Sequence, residues 1–467
     1  MLFSSLEFLY LFFPLCVCIY FAVPSRAKNA VLLVASLVFY ALPEPKLLPL
    51  LVAITLANFL FGMGVSRFSK CNKLRAANKL VALAVVFNAG VLFAFKYLDP
   101  WLSFVGANPL GIVLPTGISF YVFQALSYVI DVRKGAAKEQ KSFAKFLTYV
   151  TLFPQLVAGP IVRYSEIDGY LDKRRHSLAL AADGVRLFLV GLCKKVLLAD
   201  LAGDEWTRLM MLRESCPTAL GAMLALVFFS FRIYFDFSGY SDMARGLGKI
   251  FGFEFPVNFN YPYTAKSISE FWRRWHITLS SYFREYVYFS LGGSKHGRAR
   301  TYLSLLAVWS LTGIWHGASL NFLVWGLYFF LILCIEKTFL SKLLAKAPSG
   351  ICHAYALLLI GFGWLIFCCD GQTLTLGDGV TMLGEMLCVN TPIASNDSVF
   401  ELMRNLPLLF VMTVGCTPVP RIIWGKICAK ENGVTQPLRA VLCIVALLLC
   451  TCFLVTSSYK PFLYFKF

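Results

Sequence analysis

Leu311-Thr312-Gly313-Ile314-Trp315-His316-Gly317-Ala318-Ser319-Leu320-Asn321-Phe322 lies between two apolar runs, Tyr302 to Ser310 before it and Leu323 to Ile335 after it. If both runs cross a membrane, His316 sits where water is scarce. An ionisable side chain at such a depth is costly and marks a functional site by default. The alternative is a histidine that hydrogen-bonds a neighbouring helix and holds a bundle together. Position alone leaves both open.

Composition decides the setting. The 467 residues are 58% hydrophobic, 16% aromatic and only 15% charged, with a mean hydropathy of +0.69. A soluble domain is nearer half apolar and a quarter charged. Apolar runs of spanning length recur along the whole chain, at about 7–23, 30–42, 47–64, 80–97, 112–132, 184–203, 218–237, 302–316, 319–335, 351–369, 405–418 and 438–456. This is an all-α polytopic membrane protein of about 11–12 spans, and 1–467 reads as one integral domain. Several runs are short for a bilayer roughly 30 Å thick, which calls for tilt or half-spans. Phe8 to Val23 has no basic stretch before it and no small-residue cleavage site after it, so it is expected as a retained first span.

A net charge of +18 would raise nucleic acid as a partner of a soluble protein. Here the basic residues gather in alternate loops: Arg26 and Lys28; Arg67 to Lys79; Arg133 to Arg175; Arg245 to Arg300; Lys337 to Lys346; Arg421 to Lys430. The positive-inside rule places these loops in the cytoplasm and both termini outside, and no nucleic-acid role is expected. The fifteen cysteines include no CxxC pair and no Cys/His set with zinc spacing, so neither a metal site nor a disulfide framework is expected.

Two stretches break the pattern. Thr148 to Ile161 is apolar but lies between two basic loops, which points to a re-entrant or interfacial piece (within about 133–182) broken at Pro154 and at Gly159-Pro160. Irregular backbone at membrane depth must be buried in protein or line a cavity. The loop at about 239–301 interleaves Phe271, Trp272, Trp275, Phe283, Tyr286 and Tyr288 with Arg273, Arg274 and Arg284. Read as helix, it puts Trp272 and His276 on one face. The alternative is an amphipathic surface helix with snorkelling arginines.

Of five histidines, His176 and His296 sit in polar loops, and His353 opens a span. His276 and His316 remain, each beside a Trp. A neutral imidazole is the side chain suited to proton abstraction near pH 7, and burial keeps it neutral. No GxSxG elbow supports a serine triad, and Gly292-Gly293-Ser294 lacks the context of a phosphate loop. Lys194-Lys195 interrupt an apolar run, and Arg232 and Asp236 lie four apart in another. A pair between the last two is the structural expectation.

Taken together, six stretches resemble the membrane-bound O-acyltransferase (MBOAT) superfamily, in its alginate and peptidoglycan O-acetyltransferase branch. They are Leu114–Tyr121, Phe153–Ile161, Gly191–Val196, Tyr234–Tyr240, Phe271–Ser280 and Trp315-His316-Gly317. The resemblance implies a ring of tilted helices with re-entrant segments around a central tunnel. It implies that His316 is the catalytic base and His276 a second functional histidine. It implies a cytoplasmic acyl thioester as donor, acetyl-coenzyme A above all, with no tightly bound cofactor. Lys194, Lys195, Arg273 and Arg274 are candidates for the donor's phosphates by charge and expected side. The tail Phe462-Leu463-Tyr464-Phe465-Lys466-Phe467 resembles the aromatic tails of exporting members. Tyr464 is therefore expected either to accept the acyl group or to serve as an interfacial anchor.

The expectation is a bacterial inner-membrane O-acetyltransferase acting on an extracytoplasmic polysaccharide such as peptidoglycan or alginate, through an SGNH-type partner. The alternatives are D-alanyl transfer to teichoic acid, a proton-coupled transporter or flippase, and a scaffold that recruits a secreted acetylase.

Overall fold

The computed structural model describes residues 1–157, 159–371, 373–429, 435–456 and 462. Among them every regular element is helical. Seven helices are long and apolar enough to cross a membrane: Pro45–Lys70, Leu74–Phe104, Ala219–Ile250, Leu320–Leu344, Ser349–Cys368, Asn396–Gly415 and Pro437–Thr456. Two shorter apolar helices, Phe8–Ala22 and Lys28–Ala41, precede them. The protein is thus all-α and polytopic, as its hydropathy requires. The remaining expected runs are also helical but interrupted or polar at one end. Residues 107–117 are irregular, so the fifth run begins as helix only at Ile118. Leu178–Cys193 passes through a π turn at Lys194–Ala199 into Asp200–Ser215.

The chain forms two compact units. One is Met1–Gly191 with Tyr240–Val257, the other Leu192–Gly239 with Asn258–Leu463. In the first, the helices Leu48–Lys70 and Leu74–Leu92 are joined by a reciprocal amide pair. Asn58 Nδ2 donates to Asn88 Oδ1 at 3.0 Å and Asn88 Nδ2 to Asn58 Oδ1 at 2.8 Å. Each amide also donates to the carbonyl four residues back, Ile54 and Ala84. Both side chains are buried and their donors are satisfied, which is how polar groups hold helices together in lipid.

The apolar run Thr148 to Ile161 is indeed broken. Ser142 caps the helix Phe143–Thr151, and a single turn, Phe153–Leu156, carries Pro154. Its loose backbone is tied down by side chains: Ser36 Oγ accepts from the Phe153 amide at 3.0 Å, and the Tyr149 hydroxyl donates to the Val162 carbonyl at 2.9 Å. Phe146 to Val157 and Ile161 to Val162 are buried, which is the condition irregular backbone must meet in a bilayer.

The second unit is built around a tight antiparallel hairpin, Gly297–His316 and Leu320–Ile335. Two glycines let the helices touch backbone to backbone. A Cβ on Gly313 would lie 2.4 Å from the Phe322 carbonyl oxygen, and one on Gly326 would lie 2.4 Å from that of Trp309. No larger residue fits either crossing unless the helices move apart, and the first helix runs only three residues past Gly313. It ends on His316.

Candidate active site

His316 is the last residue of its helix, because Gly317 leaves the helical path in an extended conformation. His316 is 7% exposed, and its ring is boxed by aromatic groups. Centroids lie at 4.9 Å (Trp315), 5.0 Å (Trp325), 5.2 Å (Phe367) and 6.2 Å (Phe322).

His276 reaches the same region from a different element. The helix expected to carry it stops early: Ile268–Arg274 is followed by Trp275 in an extended conformation, and Ile277–Phe283 begins after His276. His276 itself adopts the left-handed conformation, with φ 44 and ψ 54, a costly one for a residue with a Cβ. Trp272 and His276 therefore do not share a helix face, and the amphipathic surface helix is excluded as well, since Phe271, Trp275 and His276 are all buried. Instead the two imidazoles flank one indole. Trp315 lies 6.1 Å from His276 and 4.9 Å from His316, centroid to centroid.

The hinge that carries His276 is held on both sides. Backbone pairing joins Asn260 N to the Arg274 carbonyl and Ile277 N to the Asn258 carbonyl, each at 2.9 Å. The Asn258 side-chain oxygen meets His276 Nδ1 at 3.1 Å and accepts from Thr278 N at 3.2 Å and Thr278 Oγ1 at 2.9 Å. Phe237 and Phe259 cover the ring. Outside the seven apolar helices but cut off from solvent, the imidazole is pushed by burial down to about 3, because desolvation disfavours the cation.

Sequence reasoning missed both Asn258 and Glu336. Glu336, 2% exposed, directly follows the helix Leu320–Ile335. Its carboxylate accepts from Ile268 N (2.7 Å), Ser269 N (2.8 Å), Ser269 Oγ (2.5 Å) and the Tyr355 hydroxyl (3.1 Å). It caps the short helix that leads to His276. Trp272 pins the same helix to the hairpin, against Trp309, Trp325 and Phe329. A carboxylate at the end of a long apolar run was the one available signal for Glu336. Asn258 offered none, because its partners lie 18 and 20 residues away.

The expected cations are placed differently from one another. Lys195 is buried and ion-paired to Asp200 at 2.7 Å and to Asp236 at 2.8 Å. Asp236 thus takes Lys195 where Arg232 was expected, and Arg232 lies against Gly203. The Lys195 ammonium also stands 4.6 Å from the centre of the Phe462 ring. Lys194 is half-buried and Arg273 exposed. Arg274 bonds Glu270 (2.7 Å) and lines a pocket of about 490 Å³ with Asn260, Tyr261, Thr264, Pro418, Arg421 and Ile422. Tyr464 lies outside the described residues. Among the described residues no His, Cys, Asp or Glu group has the makings of a metal site.

Two imidazoles thus lie buried against one indole in a helical membrane protein, away from water. The chain belongs to the membrane-bound O-acyltransferase family, whose model matches residues 133–374 and so spans both histidines. It is a membrane O-acyltransferase. It is 39% identical over 377 residues to a probable alginate O-acetylase of Azotobacter vinelandii, covering 79% of this chain and 75% of that one. It is 34% identical to a probable alginate O-acetylase of Pseudomonas putida, over the full length of both. It is 32% identical over 409 residues to a peptidoglycan O-acetyltransferase of Helicobacter pylori, covering 79% and 77%.

Proposed function

We propose that the protein carries acetyl groups from acetyl-coenzyme A on the cytoplasmic face to hydroxyls of an extracytoplasmic polysaccharide. It would do so in a bacterial inner membrane, with both termini outside and with an SGNH-type transferase completing delivery. The observation that carries this reading is the pair of buried imidazoles on Trp315 in a chain similar to alginate and peptidoglycan O-acetylases.

In this mechanism a hydroxyl oxygen attacks the thioester carbonyl while His316 takes its proton. The C–O bond forms, the C–S bond breaks, and the imidazolium returns the proton to the departing thiolate. The Tyr464 phenol is the first acceptor and passes the acetyl group to the partner. His276 handles the acyl group beside Trp315. Arg274 and Arg421, with Lys194 and Arg273, take the donor's phosphates. Lys195 is the poorest of the cations for that role, since two carboxylates already neutralise it. The basic-loop pattern supports the assignment of sides, because Arg274 and Arg421 come from two stretches it independently places in the cytoplasm.

The test is transfer of radiolabelled acetyl from acetyl-coenzyme A in inverted vesicles that contain the polysaccharide-side partner. His316→Ala should lower the rate by about 10²–10⁴-fold, the range of a positioned general base. Label transfer unchanged in His316→Ala would defeat the reading. No transfer from acetyl-coenzyme A by the wild type, with transfer from a carrier-protein thioester, would move the donor assignment to the carrier.

A further inference from the structure

The three contacts of the Asn258 side chain settle a question that distances to a histidine ordinarily leave open. The Thr278 main-chain N–H can only donate, so the Asn258 atom that faces it at 3.2 Å is the amide oxygen. The same oxygen faces His276 Nδ1 at 3.1 Å. An oxygen acceptor there requires a proton on Nδ1. In a neutral imidazole, a proton on Nδ1 leaves the lone pair on Nε2. We infer that Asn258 is a positioning residue that holds His276 as its Nδ1–H tautomer, so that Nε2 is the ring's acceptor atom and not a donor toward the thioester carbonyl oxygen. The inference rests on the acyl-transfer reading above and gives His276 a direction within it.

The surrounding structure supports a fixed tautomer. Asn258, Thr278, Phe237, Phe259 and Trp315 lie on the ring, and each of these five is uncharged. Burial disfavours the cationic ring, and the Asn258 amide that bonds Nδ1 brings no charge to offset that cost. The Asn258 clamp also explains how a left-handed residue is tolerated at this point. One side chain and one carbonyl of Asn258 hold Ile277, Thr278 and the ring itself, so the local cost at φ 44 is over-determined by bonds to a single residue.

The experiment uses the full chain in lipid nanodiscs, with ¹⁵N-labelled histidine and acetyl transfer measured in parallel. In wild type the His276 resonances, assigned by their loss in His276→Gln, should show a protonated Nδ1 and a bare Nε2. Asn258→Ala should lower kcat by about 10²–10⁴-fold, the upper end being the loss seen when a catalytic histidine is left in the wrong tautomer. The donor KM should stay within about threefold. Asn258→Asp keeps an acceptor oxygen at the same place but adds a charge that favours the imidazolium. It should recover activity at alkaline pH and lose it as the pH falls through neutrality, a limb absent from wild type. A merely structural asparagine would show no such limb.

An Nε2–H tautomer in wild type, or an Asn258→Asp profile that superimposes on the wild-type one, would overturn the inference even if Asn258→Ala fails to fold. The tautomer is read without any turnover. If it is found as stated while His276→Gln retains full transfer, the role of His276 in acyl transfer falls and the hold of Asn258 on the ring stands.

Discussion

Gly313 and Phe322 cross so closely that the glycine Cα faces the phenylalanine carbonyl, with 2.4 Å left for any Cβ. That crossing lies three residues before His316 and sets the height at which the imidazole leaves its helix. Gly313→Ala forces the helices apart. Overpacking of this kind costs typically about 1–3 kcal/mol. The expected outcome is a lower unfolding temperature in detergent, and a fall in acetyl transfer larger than the lost folded fraction explains. Full activity in a stable Gly313→Ala protein would show that the height of His316 is not set there.

Glu336 is expected to behave as a structural carboxylate with a catalytic consequence. Its four donors include two main-chain amides that lose their partner in Glu336→Ala. Hydrogen bonds to a charged group are worth roughly 1.5–3 kcal/mol, so thermal unfolding should come markedly earlier. Glu336→Gln keeps one oxygen and should fall between the two. Because the helix it caps leads directly to His276, both variants should lose kcat before they lose donor binding.

Lys195 sits between the partly buried Asp200 and the buried Asp236, and removing it takes the cation from both carboxylates. Breaking a buried pair by deleting one partner costs about 3–5 kcal/mol. Lys195→Met should therefore express poorly or melt early, while the protein that survives keeps the wild-type donor KM. Adding Asp236→Asn to Lys195→Met should recover part of the loss. A raised KM with unchanged stability would instead return Lys195 to the donor's phosphates.

Acid stability follows from His276. Its folded-state value near 3 lies below the roughly 6.5 of an unfolded chain. Above pH 6.5 the ring is neutral in both states and costs nothing. Below that the unfolded chain binds a proton that the folded one refuses, so stability drains as the pH falls toward 3. At pH 5 the loss from this residue is on the order of 2 kcal/mol. His276→Gln should flatten that part of the stability-versus-pH curve, measured by thermal unfolding between pH 7 and pH 5. An unchanged slope would mean that His276 is not buried as a neutral ring.

Hydropathy made the helices legible, because the bilayer imposes a length and a polarity that any spanning run must meet. His316 was legible for the same reason: an ionisable group between two apolar runs has few reasons to be there. The break at Pro154 and Gly159-Pro160 could be read from residues that cannot continue a helix. What could not be read was set by partners far apart in the chain. The helix Ile268–Arg274 ends before His276, where Asn260 bonds its last carbonyl and Asn258 holds Ile277 beyond it, and no periodicity records that. Likewise, i,i+4 spacing offered Arg232 to Asp236, while the fold brought Lys195, 41 positions earlier in the numbering than Asp236. Glu336 reads as the polar end of a span until its four donors are seen.

The mutual grip of Asn58 and Asn88 has a consequence for how the protein is made. Sliding one helix past the other by a turn, about 5.4 Å, would strand both amides in hydrocarbon, at several kcal/mol for each bond left unmade. The neighbouring apolar side chains penalise such a slip far less, since one leucine meets lipid much as another does. As the nascent hairpin enters the bilayer, these two residues give it a single permitted alignment. They work as a vernier mark, set before the part of the first unit that follows them has been synthesised.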